Sequence, residues 1–259
     1  MSVGKEGLEY EQKVLSVVVE QIHNTNLKLK PATSTAGFSA HEPDLVLISK
    51  ANNKPINIEI KKDKEAQMGG GSFNYDSNSG KFFPAEGTEI DPEIQSKIID
   101  VLQTKKKSID NLLDYAKNKN PIMLAEKTNG FPLNATKKVW EELTTQRFLV
   151  PLNGKVAVDT AFLYKHYRKK NCYYIQIGGS GLYYLDSNPL NLPIPQLRIN
   201  MNVELRLGRG GSRMNVKLQE QVASGNMRAQ GRLNGKMLVA SPMSLDIPGH
   251  FEKLFGTVN

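Results

Sequence analysis

The sequence predicts an α/β protein whose helix-and-strand core is followed by a basic, β-rich C-terminal lobe. Three observations point there. Residues 4–23 carry apolar side chains at helical spacing, residues 44–49 and 56–62 read as a strand pair, and residues 196–233 interleave apolar residues with arginine and glycine. A chain of 259 residues suffices for one large α/β domain or for a core with a second lobe, and 39% hydrophobic with 23% charged residues is the balance of a folded globular protein.

The first helix sets Leu8, Glu11, Leu15, Val18, Val19 and Ile22 on one stripe and Glu6, Glu9, Lys13 and Glu20 on the polar side. In the strand pair, "DLVLIS" is apolar on both faces, and the second strand alternates Ile56, Ile58 and Ile60 with Asn57, Glu59 and Lys61. "GGGSFNYDSNSGKFF" reads as a glycine-rich stretch and a hairpin turning at "DSNSG". From Pro92 to about Asn118 the spacing of Ile94, Ile98, Val101, Leu102, Ile109, Leu112 and Leu113 predicts one long helix, ended by Pro121. A shorter helix is expected over 135–146, and another from an Asp159 N-cap to about Lys170, leading into a buried strand at "CYYIQI" and then "LYYL". The prolines of 188–196 make that stretch a connector. Beyond it, "QLRINMNVELRL", "MNVKLQEQV" and "NMRAQGRL" read as a meander of strands, closed by a short helix near 247–255. The expected division is a core over 1–188 with a helical insert at about 91–150, and a lobe over 189–259.

Charge narrows the function. The net charge is +8, every arginine lies at or beyond Arg147, and Arg198, Arg206, Arg209, Arg213, Arg228 and Arg232 crowd one stretch. Arginine's planar fork suits phosphate and base edges, so the lobe is expected to hold a polyanion, although a soluble basic surface has the same composition. Cys172 is the only cysteine, which excludes an intrachain disulfide and favours a reducing compartment. The N-terminal residues lack the apolar core of a signal peptide, and no run is long enough to span a bilayer, so a cytoplasmic protein without a membrane partner is expected. "GGSG" at 178–181 and "GRGG" at 208–211 lack the Lys-Ser/Thr of a phosphate loop and read as turns. The histidines show no zinc spacing, and His41 is a loop residue that could line a site at Asp44.

The strand pair carries the chemistry. A turn centred between Asn52 and Asn53 would set Asp44 opposite Lys61 and Val46 opposite Glu59, placing Asp44, Glu59 and Lys61 on one face. Glu11 falls within the apolar stripe of the first helix, where a carboxylate aimed inward needs compensation. The same residues also describe a solvated hairpin face, with Glu11 at the edge of its stripe.

Pro43-Asp44, then Glu59-Ile60-Lys61 on the next strand, after a helix bearing Gly7-x-x-x-Glu11, resembles the signature of the PD-(D/E)XK nuclease superfamily, which includes restriction endonucleases and Holliday junction resolvases. The match covers roughly the first 65 residues. It implies a restriction-endonuclease-like α-β-β-β-α-β core around a central mixed sheet. It also implies Mg²⁺-dependent phosphodiester hydrolysis, with Mn²⁺ as a substitute, through Asp44, Glu59 and the Ile60 carbonyl as metal ligands. Glu11 would hold a second ion or a ligated water, and Lys61 would orient or deprotonate the attacking water. The Gln-x-x-x-Tyr element of RecB-type exonucleases is missing, which favours an endonuclease over an exonuclease and leaves the subfamily open; the expected partner is double-stranded DNA, with the six arginines named above as its contacts, and the expected assembly includes a homodimer. An RNA endonuclease on the same core, or a non-catalytic nucleic-acid-binding protein, remain the alternatives. The chemistry suits the residue types: Mg²⁺ takes oxygen ligands from one or two carboxylates plus water and phosphate, acidifies bound water and neutralises charge on phosphorus.

Overall fold

The computed structural model describes residues 3–34, 42–50, 52–88, 90–119, 130–216, 219–232 and 238–256. His41 lies outside them. In chain order the elements are α1 (Val3–Asn24), β1 (Leu29–Ser34), β2 (Leu45–Ser49), β3 (Pro55–Lys61), β4 (Gln67–Asp76), β5 (Lys81–Pro84), α2 (Pro92–Gln103) and α3 (Lys106–Lys119). They continue with β6 (Phe131–Thr136), α4 (Lys137–Thr145), β7 (Gly154–Val158), α5 (Ala161–Arg168), β8 (Cys172–Ile177), β9 (Gly181–Tyr184), β10 (Met201–Asn215), β11 (Glu220–Arg232) and α6 (Phe251–Phe255). No helix among the described residues is long and apolar enough to cross a membrane.

Two compact units share these elements. The first comprises residues 1–66, 159–201 and 233–259, the second 67–158 and 202–232. A cut at residue 188 therefore differs from this division: β10 pairs with β11 and β7, and β11 with β4 and β6, whereas 189–201 and the last segment stay with the first unit.

In the first unit a mixed sheet runs β1-β2-β3-β8-β9. Its β3/β8 pair is parallel, and the β1/β2, β2/β3 and β8/β9 pairs are antiparallel. Helix α1 packs Val14 and Val18 into a core with Leu45, Leu47, Ile56, Ile58 and Ile60. The helix is rotated from the expected stripe, since Leu8 and Val19 are exposed. Glu11, one turn before Val14 and two before Val18, lies on the inward face. Behind β8 the fully buried Gln176 is satisfied: its Nε2 donates to Tyr10 Oη at 3.1 Å and Ser244 Oγ at 2.8 Å, and its Oε1 accepts from Leu245 N at 2.9 Å. That network fastens α1, β8 and the chain before α6 together, because a buried amide left unpaired would cost about 1–3 kcal/mol.

The second unit is built on a sheet ordered β5-β4-β11-β10-β7, with β6 also paired to β11. The insert is thus not simply helical. The single helix expected from Pro92 divides at Thr104, where Lys105 N turns back to Leu102 O at 2.9 Å and Thr104 Oγ1 bonds Val101 O at 2.7 Å, a tight turn that competes with the α ladder. The expected meander of three strands is a two-stranded hairpin. "GRGG" is no turn, because β10 runs through it with a register shift between Arg209 and Ser212, a bulge that lets both strands continue. "GGSG" does turn, with Gly179 and Gly181 at φ of 69° and 105° between β8 and β9.

Candidate active site

Asp44 stands one residue before β2, whose antiparallel register on β3 is Leu45 with Ile58, Val46 with Asn57 and Leu47 with Ile56. This is two residues from the expected pairing, since Ser49 N meets Lys54 O at 3.1 Å and Asn53 takes a φ of 55° in a turn shifted toward the N-terminus. Because side chains alternate with period two, an even slip leaves the faces unchanged. Continued by one residue, the pairing sets Asp44 opposite Glu59. Asp44 Oδ2 accepts a hydrogen bond from Ile60 N at 2.8 Å, which fixes the carboxylate against β3.

Glu59 is only 2% exposed. Its Oε1 accepts from Lys61 Nζ at 2.5 Å and its Oε2 from Lys170 Nζ at 3.3 Å. The two ammonium groups lie 6.0 and 5.6 Å from the ring centroid of buried Tyr167, within cation–π range. Lys170 reaches this place because the chain reverses after α5. Lys170 N bonds Tyr167 O at 3.0 Å, Asn171 takes a φ of 54°, and β8 then runs parallel to β3 with Cys172 beside Asn57. Lys170 is the site residue that sequence reasoning missed. Its signal was slight, a second lysine in the Lys169-Lys170 pair that closes a helix feeding a buried strand.

The electrostatics are those of crowded carboxylates. Burial raises the Asp44 pKa and the charge on Glu59 raises it further, against Lys61, the Ile60 N–H and Lys170. Burial, then Asp44, push Glu11 up to about 7, with Lys61 opposing. For Lys61, burial works against the charge, but Tyr167, Glu59 and Asp44 outweigh it and hold the ammonium protonated well above the ordinary lysine range. Burial also drives the nearby Cys172 thiol up, so it stays neutral and inert.

The strand pair therefore brings Asp44, Glu59 and Lys61 together, with Ile60 joined to Asp44 through its N–H and Glu11 within their electrostatic reach. Among the described residues no three His, Cys, Asp or Glu side chains are arranged to hold a metal ion. The available donor set is the Asp44–Glu59 pair, which suits a hard cation such as Mg²⁺ that takes one or two carboxylates and completes its shell with water and phosphate.

The arginines are divided between the two units. Exposed Arg198 belongs to the first unit, where its carbonyl accepts from Leu238 N at 3.0 Å. In the second unit, Arg206 and Arg228 stand directly opposite each other on β10 and β11, on the face shared with Glu204, Gln230 and Arg232. Arg232 is engaged by Glu204 at 3.1 Å, whereas Arg206 bonds the neutral Gln230 Oε1 at 3.2 Å. Arg209 and Arg213 are exposed around the bulge, where Arg209 meets Ser212 Oγ at 3.3 Å.

No family model and no curated protein matches the chain. Among solved structures it is similar to HhaI endonuclease in complex with DNA. The identity is 12% and the TM-score 0.45, over 89% of this chain and 92% of that one.

Proposed function

We propose that this chain is a metal-dependent endonuclease that hydrolyses DNA phosphodiesters. The observation that carries the reading is the meeting of Asp44, Glu59 and Lys61 on one face of the β2/β3 pair, with the Asp44 carboxylate pinned by Ile60 N. Asp44 and Glu59 would hold Mg²⁺ or Mn²⁺, with the Ile60 carbonyl as a further oxygen donor and Glu11 holding a ligated water. A divalent ion there supplies an acidified water and a Lewis acid for the phosphate.

The chain's own groups divide the remaining work. Lys61, which contacts Glu59 in the absence of an ion, would donate hydrogen bonds to the water and to a phosphate oxygen as negative charge builds. Glu11, as the carboxyl beside that water, would accept its proton. The Ile60 N–H keeps Asp44 from rotating away as charge is redistributed. On the second unit, Arg206 and Arg228 face each other without a carboxylate between them in the cross-strand register, a placement that an anionic backbone would relieve. Either nucleic acid supplies such a backbone; double-stranded DNA is the substrate proposed, and RNA is the competing one.

The test incubates the protein with plasmid DNA and with structured RNA, in Mg²⁺ or in EDTA, beside Asp44→Ala and Glu59→Ala. Metal-dependent nicking or linearisation of the plasmid that both substitutions abolish supports the assignment. Cleavage that survives both removes it, and cleavage of the RNA alone transfers it to the other substrate.

A further inference from the structure

Glu59 has each carboxylate oxygen covered by an ammonium, Lys61 on Oε1 and Lys170 on Oε2. The Lys170 side chain is only 12% exposed and the carboxylate 2%, so this is a desolvated pair in which charge balance matters far more than on a surface. A divalent ion entering between Asp44 and Glu59 brings two positive charges to a place that already holds two, and it needs a carboxylate oxygen that a lysine now occupies.

Which lysine yields follows from the geometry. Lys61 lies at 2.5 Å and stems from β3 itself, two residues from Glu59, so its reach is fixed by the strand. Lys170 sits at 3.3 Å on a turn after α5, 111 residues along the chain, and makes the longer and weaker contact. Its flexible stem can withdraw without disturbing the sheet.

We propose that Lys170 is a positioning residue and resident counter-ion: it holds Glu59 in place while the metal site is empty and is displaced from Oε2 when a divalent cation binds. The inference rests on the metal-dependent reading above. Its consequence is that the protein alone takes up the ion weakly, because each binding event must first break the Lys170–Glu59 pair. An anionic phosphate arriving with the ion offsets the excess positive charge, so cation and substrate load together.

The sign of one comparison separates this role from a merely structural one. A structural lysine, when lost, lowers stability and metal affinity together. A competing counter-ion, when lost, lowers the first and raises the second. The experiment titrates Mn²⁺ calorimetrically into metal-stripped parent, Lys170→Gln and Lys170→Arg without nucleic acid, and records thermal unfolding of each in EDTA. Lys170→Gln is expected to melt at a lower temperature yet bind Mn²⁺ about tenfold more tightly, and Lys170→Arg, which keeps the charge, to resemble the parent. Should Lys170→Gln fold poorly, the parent alone answers the question by nitrogen-15 NMR of the lysine ammonium groups. Mg²⁺ should expose the Lys170 resonance to rapid solvent exchange and leave that of Lys61 protected. Affinity unchanged or weakened in Lys170→Gln, or a Lys170 resonance indifferent to Mg²⁺, overturns the inference while the nuclease reading stands. A variant that fails to bind Mn²⁺ overturns the inference, and metal-dependent plasmid cleavage decides the nuclease reading separately.

Discussion

The Asp44 carboxylate accepts a hydrogen bond from the backbone N–H of Ile60 at 2.8 Å, so the residue before β2 is tied to the strand that carries Glu59 and Lys61. The bond needs an oxygen acceptor but not a charge. The pKa of Asp44 is raised by burial and by Glu59, which means that the charge is held at a cost to the fold.

Asp44→Asn should therefore separate folding from chemistry. The amide oxygen keeps the bond to Ile60 and relieves the repulsion with Glu59, so thermal stability in EDTA should match or exceed the parent. Cleavage should fall by about a hundredfold or more, as for other losses of a group that stabilises developing charge. Asp44→Ala loses the acceptor as well and should cost about 1–3 kcal/mol in urea unfolding. Equal destabilisation by both variants would show that the hydrogen bond is not what holds this corner.

Glu11 gives a pH signature. Its pKa rises from an ordinary 4.5 to about 7 on folding, chiefly through burial and then Asp44. Between those values the folded protein binds more protons than the unfolded chain, so stability falls as pH rises. The contribution is complete below pH 4.5 and gone above about 7. Glu11 is half-buried, so solvent screening reduces it to about 1 kcal/mol. In EDTA, the parent should lose about that much more stability than Glu11→Gln between pH 5 and pH 8, read from urea midpoints. Parallel curves for the two proteins would rule out an inward carboxyl.

Gly178 sits where β8 ends, and its N–H bonds Lys61 O at 2.8 Å. A Cβ there would lie 1.9 Å from the Lys62 carbonyl oxygen and 3.0 Å from the Tyr10 ring, so the strand bearing Lys61 would have to move. Gly178→Ala should cost about 2–3 kcal/mol and lower cleavage by more than its loss of folded protein explains. Gly7→Ala is the control: nothing lies within 4 Å of its Cβ, and in mid-helix it should add about 0.5–1 kcal/mol.

How much of this was legible in the sequence follows from the range of each interaction. The shared face of Glu59 and Lys61 is dictated by period two within one strand, and a register shifted by two residues left Asp44 on that face as well. The rotation of α1 was less visible, because Val14, Val17 and Val18 offer an alternative to the stripe through Leu8 and Val19, and only the sheet decides between them. "GRGG" misled because glycine serves two purposes. A Cβ at Gly210 would come within 2.8 Å of Ser224 Oγ, so that glycine admits a neighbouring strand and makes no turn. Lys170 left no trace but the Lys169-Lys170 pair, since nothing local announces a partner 111 residues away. The unit boundary was hidden for the same reason: β11 chooses β4 and β6, and carries β10 with it, by sheet pairing that leaves no mark in composition.

Arg206 and Arg228 supply the remaining test. Like charges directly opposed on antiparallel strands destabilise the pair by up to about 1 kcal/mol. Arg206→Gln should accordingly raise the melting temperature slightly, and the same holds for Arg228→Gln. If both arginines meet phosphates, each substitution should weaken DNA binding and reduce the slope of log affinity against log salt by about 0.9. Arg232 is different, because its guanidinium is held by Glu204 at 3.1 Å. Arg232→Gln should lower stability and leave the salt slope nearly unchanged. Binding measured by fluorescence anisotropy across a salt series distinguishes the cases. A loss of slope for Arg232 but not for Arg206 would mean that the polyanion docks elsewhere on the chain.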